Sequence, residues 1–230
     1  MGISAEFAQL VIEKQPTDAQ LNHAVLEVKQ AFDDPKAVDW LRAYYIASGN
    51  YAGATFCALE PNDPHCVTAT DFYAISLLNV KVEPRAARLL LATEMQGSLT
   101  QILHKIPIDA DLATASEDVW VAADAFYRMI KGSLGKNPWV TASKLCARKR
   151  PQFFPVRDQV VTATRLKLGV DWLTDWQVYR YLMSTESIVN ELRDLERQAR
   201  PDGSSSELDP PLRILDVLLW MSSPKPRRRR

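Results

Sequence analysis

Residues 131–169 read KGSLGKNPWVTASKLCARKRPQFFPVRDQVVTATRLKLG, and the Pro and Gly positions inside them mark out two helices. Asn137 is a good N-cap acceptor, and Pro138 stands where a first helical residue loses nothing by lacking an N–H. A helix is expected from about Trp139 to Arg150. It should stop there, because Pro151 disfavours helical backbone in the residue before it and brings no donor to the ladder. After Phe153, Phe154 and Pro155 the chain should turn helical again from about Val156. Val160, Val161, Thr164 and Leu168 are spaced for one buried face of that second helix, and Gly169 closes it.

The same stretch is strongly basic. Between Lys131 and Lys167 it holds nine Lys or Arg and one acid, Asp158, a local balance of +8. Lys225 and Arg227 to Arg230 add five more positive charges, so a formally neutral chain leaves −13 for everything else. A basic face on an acidic body suits a polyanion, since every phosphate neutralised releases counterions. Lys136, Asn137, Lys144, Arg148, Lys149, Arg150 and Arg157 are the residues expected to meet DNA. A solvated basic helix face is the competing reading, and cations at a helix C-terminus also compensate its dipole.

Helical signals extend in both directions. Thr17 and Gln20 have capping-box spacing ahead of Leu21, Val25 and Val28. Asp34-Pro35 should open a helix through Trp40, Leu41, Tyr44 and Tyr45, closed by Gly49. Residues 49–67 read as a long loop with one turn at most, and Thr68 or Thr70 as the cap of a short buried helix. Glu83-Pro84 should start a helix whose apolar pattern continues through Met95, Leu99, Ile102 and Leu103 to Pro107. Another starts near Ser116 with Glu117 and Asp118 in its first turn, where the dipole favours acids. Two more are expected over 171–183 and 184–200 and a last one over 212–221, after the exposed loop PDGSSSELDPP. No segment alternates with period 2, so the expectation is an all-α fold: one multi-helix domain over 1–222, followed by a disordered basic tail, 223–230.

With 230 residues, 47% apolar and 24% charged, the chain can bury a sizeable core. It has no 18-residue apolar run, and its opening MGISAEFAQLVIEKQ does not resemble a signal peptide, so a cytoplasmic protein away from membranes is expected. Cys57, Cys66 and Cys146 are too few and too widely spaced for a zinc or cluster site, so neither metal nor cofactor is expected. His23 and His104 have no partner apparent in the sequence. Phosphate-binding, dinucleotide, metalloprotease and serine-nucleophile motifs are all missing.

TASKL, RKRP and PVRDQVV, with TATDFYAISLLNV upstream and RILDVLLWM near the end, resemble an uncharacterised bacterial domain-of-unknown-function family over about residues 45–221. That resemblance implies kinship without an activity. More distantly, the segment is similar to helix-hairpin-helix DNA glycosylases. These carry a Gly-rich hairpin, a Lys or Ser followed by Thr-Ala at the start of a helix, and then an Asp that stabilises a cationic sugar. Val140-Thr141-Ala142 stands at the first position, and Asp158, within Pro155-Val156-Arg157-Asp158, lies 18 residues beyond Val140. The resemblance implies a glycosylase-like helical core with Asp158 as the candidate catalytic residue. Lys136-Asn137-Pro138 replaces the hairpin glycines, whose backbone would approach a phosphate. Val140 replaces the lyase lysine, so any activity should be monofunctional, with no Schiff-base amine.

Asp158 has two readings. A carboxylate in a basic, partly buried cleft could stabilise an oxocarbenium-like centre. An acid in the first turn of a helix could equally be its cap. Two function classes follow: a DNA-interacting protein on a glycosylase-like scaffold, or a non-catalytic interaction domain whose protein partner the sequence does not name. The first requires a concave site with Asp158 at its floor and basic rims. The second requires Asp158 tied to backbone N–H groups and covered.

Overall fold

The last helix of the chain, Pro211–Ser222, is surrounded by the rest of the molecule: every residue from Leu212 to Leu219 is buried, including Arg213 and Asp216. A helix buried on all sides has no solvent face to present, so the other elements pack around it. The computed structural model describes residues 3–46, 48–136, 138–201 and 208–223. The helices are α1 (Ile3–Glu13), α2 (Asp18–Phe32), α3 (Ala37–Tyr45), α4 (Gly53–Ala58), α5 (Ala69–Ser76), α6 (Pro84–Leu90), α7 (Thr93–Leu103), α8 (Glu117–Ser133) and α9 (Trp139–Lys149). A π-helix (Gln159–Arg165), α10 (Trp172–Ser184), α11 (Glu186–Ala199) and α12 (Pro211–Ser222) complete the chain. Among the described residues there is no strand, and one core cluster runs from Phe7 to Met221, making a single all-α domain. The basic tail lies almost wholly outside the described residues.

A second helix, enclosed over all but its first turn, organises the other half. α9 is buried from Ala142 to Lys149 and packs against α5 and α8, while α12 packs against α2, α3 and α11. After α9 the turn at Pro151–Pro155 drops Phe153 and Phe154 into the core. Their rings lie 5.0 Å apart and meet Trp176 at 5.9 and 5.3 Å in edge-on contacts, a geometry favoured by the ring quadrupoles.

Local signals that carry their own hydrogen bonds are where the sequence put them. Thr17 and Gln20 form the capping box of α2, and Thr68 and Asp71 form that of α5. Three expectations need correction. Residues 49–67 contain a helix, α4. The segment read as one helix over 84–103 breaks at Leu91-Ala92, where the Gln96 side chain donates to the carbonyls of Leu90 and Val67 at 2.6 and 2.8 Å. The helix after Pro155 begins at Asp158 and is wound wider, with the N–H of Leu166 reaching the carbonyl of Val161.

Candidate functional site

The basic run faces inward. Lys144, Arg148, Lys149, Arg150 and Arg157 are buried, none more than 8% exposed, which corrects the expectation of a solvent-facing basic surface. The reason is what surrounds α9. Asp71 on α5 pairs with Lys149 at 2.5 Å and with Arg148 at 3.4 Å. Arg148 also donates to the carbonyls of Phe56, Cys57 and Leu59, and Lys149 to that of Asp63. Arg150 donates to the carbonyls of Leu103, Ile106 and Pro64, each at 2.9 Å. Arg157 pairs with Asp175 at 2.5 Å, donates to the Tyr127 hydroxyl at 2.6 Å and lies over the Trp139 ring. These cations supply donors to buried carbonyls that no helix ladder satisfies. Of the expected DNA-contacting residues only Lys136 is exposed, and Asn137 lies outside the described residues. The two histidines also have partners: His23 Nε2 lies 2.9 Å from the carbonyl of Arg165, and the His104 ring stacks on His65 at 4.1 Å.

One member of the run opens onto a cavity. A space of about 360 Å³ is lined by Lys144, Asp158 and Asp216, with Tyr44, Tyr51 and Trp220 among its walls. Such a volume lies within the span of small-molecule sites, about 300–1,000 Å³. Tyr44 and Tyr51 stack at 5.8 Å, and Trp220 meets Tyr51 edge-on at 5.8 Å. The aromatic wall depends on Gly53, where an added Cβ would stand 1.9 Å from the Tyr44 ring, so no larger residue lets α4 cross that face. Val140 lines the same cavity one helical turn ahead of Lys144.

The polar groups have distinct environments. Asp158 is half-buried and extended, and its Oδ1 accepts the N–H of Val161 at 2.7 Å, capping the π-helix. It therefore has one feature of each reading: it caps a helix and it lines a concave site, while the cations expected at the rims of that site are buried and Asp158 itself is not covered. Lys144 donates to the carbonyl of Leu78 at 2.8 Å. Burial pushes its pKa down, against the pull of Asp158 and Asp216. Asp216 is the most perturbed carboxyl of the cavity. Burial pushes it up to about 7, Arg213 opposes the shift and Asp158 adds to it. Arg213 donates to one Asp216 oxygen and, at 2.6 Å, to the Tyr44 hydroxyl, whose pKa burial pushes up to about 12. Asp216 Oδ1 is buried without a partner.

Asp216, Arg213, Tyr44, Tyr51 and Trp220 were not singled out as site residues from the sequence. A signal was present: RILDVLLWM sets Arg213 and Asp216 inside an otherwise apolar run, and charges on a buried helix need partners or a ligand. A wider depression of about 680 Å³ beside α11 is bounded by Arg200 and Leu208, which flank the undescribed residues 202–207. Two of the arginines there already pair within the chain, Arg200 with Glu196 at 2.6 Å and Arg197 with Asp194 at 2.9 Å. Among the described residues no group of three His, Cys, Asp or Glu side chains could hold a metal ion, and no helix is long and apolar enough to cross a membrane.

A family model matches residues 37–223, most of the chain. The chain belongs to DUF6308, a family of unknown function. No curated protein and no solved structure matches it. The DUF6308 span contains every cavity residue named above, from Tyr44 to Trp220, while α1 and α2 precede it.

Proposed function

We propose that the cavity receives a nucleobase presented by a nucleic acid, with Asp158 standing against the sugar of that nucleotide in a glycosylase-like arrangement. The observation that carries this reading is that Asp158, 18 residues beyond Val140, shares one cavity with Tyr44, Tyr51 and Trp220. Aromatic faces suit a planar base, because every base has a π-face to stack. The ionic balance points the same way. Lys144 and Arg213 are set against Asp158 and Asp216, leaving no surplus of positive charge to draw a phosphate inside. An uncharged polar heterocycle, taken out of the base stack, fits such a lining.

The chemistry asked of Asp158 is electrostatic. As the bond from sugar to base breaks, its electron pair leaves with the base and the sugar develops oxocarbenium character, which a fixed carboxylate stabilises. Water then adds to the sugar and gives up a proton while the departing base takes one up, and Val140 offers no amine at the lyase position. The capping bond from Val161 favours a second reading, a purely structural Asp158 in an interaction domain.

Oligonucleotides carrying a single uracil, hypoxanthine, 8-oxoguanine or 3-methyladenine, single-stranded and duplex, separate the two readings. The expected result is release of one of these bases, measured by chromatography, and a loss of at least about 100-fold in Asp158→Asn. Asn caps helices as well as Asp does, so this variant should keep its unfolding free energy within about 0.5 kcal/mol. Absence of release from every substrate, or full activity in Asp158→Asn, would leave the interaction-domain reading in its place.

A further inference from the structure

We infer that Asp216 selects the base: its Oδ1 accepts an N–H from the edge of the planar ligand, so the cavity takes heterocycles that carry an amino or imino donor and rejects those that present acceptors alone. The inference rests on the nucleobase reading above and deepens it.

Three observations on α12 support it. Asp216 lines the cavity although its side chain is only 5% exposed, so the carboxyl sits in the wall rather than at the mouth. Its two oxygens are used unequally: Arg213 donates to Oδ2, while Oδ1 is buried and has no partner. Buried polar atoms are almost always paired, so an unpaired acceptor on a side chain that lines an unfilled space is a place for a ligand donor. Finally, Trp220 stands four residues on, one turn along the same helix face, so an aromatic wall and an edge-reading group are presented in register. A site built to bond a ligand N–H rejects the analogue that lacks it, because the buried acceptor is then left unsatisfied.

The ionised carboxyl is the better acceptor, so binding should be linked to its titration. The charged and titratable groups around it are Arg213 and Asp209 near its own helix, Lys144 on α9, Asp158 at the head of the π-helix, Tyr44 on α3 and Tyr179 on α10. Asp158 and burial hold its proton on, while Arg213 and Lys144 pull the proton off. Binding of a donor ligand should therefore strengthen as pH rises from about 6 to about 8 and level off above.

The probes are 2-aminopurine riboside, whose base carries an exocyclic amino group, and purine riboside, whose base has no N–H. The full chain is titrated with each at several pH values, following probe fluorescence and calorimetry. We expect 2-aminopurine riboside to bind about 10- to 100-fold more tightly than purine riboside at pH 8. The preference should shrink toward pH 6 and disappear in Asp216→Asn, whose amide turns the open acceptor into a donor. If Asp216→Asn fails to fold, the probe pair and the pH profile of the unsubstituted protein decide alone. Equal, pH-independent binding of both probes would overturn the role of Asp216 and leave the nucleobase cavity standing. Binding of neither would overturn both.

Discussion

Arg148→Ala should lower the stability of the protein by about 3–5 kcal/mol, the usual cost of removing one partner from a buried ionic network. The loss comes from what Arg148 leaves behind. Its guanidinium donates to the carbonyls of Phe56, Cys57 and Leu59, and an unpaired buried carbonyl costs about 1–3 kcal/mol. Asp71 would retain Lys149, which softens the effect. Arg148→Lys should rescue little, because one ammonium cannot match the fork of a guanidinium that reaches four groups. Urea denaturation measures the difference, and in a chain of this size thermal unfolding should fall by roughly 10 °C or more. A loss below about 1 kcal/mol would mean that the segment from Phe56 to Pro64 is not held by these cations.

Asp216→Asn should change how stability depends on pH. A carboxyl near 4 in the unfolded chain and raised to about 7 in the fold binds its proton more tightly when folded. Stability from this group is present at low pH and drains away as pH climbs through that window, at about 1.4 kcal/mol per unit. Asn has no proton to lose. Relative to the unsubstituted protein, the variant should therefore gain a few kcal/mol between about pH 4 and pH 7 and hold that gain above. Asp175 and Asp209 are also raised by burial, so the quantity to follow is the difference between the two proteins. A difference that stays constant across the window would contradict an elevated Asp216.

The elements read correctly from the sequence are those whose determinants are local. Thr17 with Gln20 and Thr68 with Asp71 cap their helices with their own side chains, Pro84 opens α6, and Glu117 and Asp118 stand in the first turn of α8. The basic run was misread because its partners are remote: Asp71 lies 77 residues before Arg148, and the carbonyls that Arg148 satisfies lie 89 to 92 residues before it. Local charge density cannot tell a surface patch from a buried lattice whose counterions come from elsewhere in the chain. The break at Leu91-Ala92 was hidden for the same reason, since Gln96 takes the freed carbonyl only once the chain has folded. At the cavity, the capping role of Asp158 was legible because its place at a helix start is local. Tyr44, Asp216 and Trp220 were not, because only folding brings α3 and α12 against the mouth of the π-helix.

The indole N–H resonances of Trp220, Trp120 and Trp176 test the cavity most directly. The protein is titrated with a single-stranded oligonucleotide carrying one 2-aminopurine, and the peaks are assigned by Trp→Phe substitution. A base entering the cavity lies against Trp220, while Trp120 and Trp176 are packed in the core away from it. The account predicts a saturable shift of the Trp220 resonance together with quenching of the 2-aminopurine, and unmoved Trp120 and Trp176 peaks. A Trp220 resonance that stays in place while the oligonucleotide binds would contradict it.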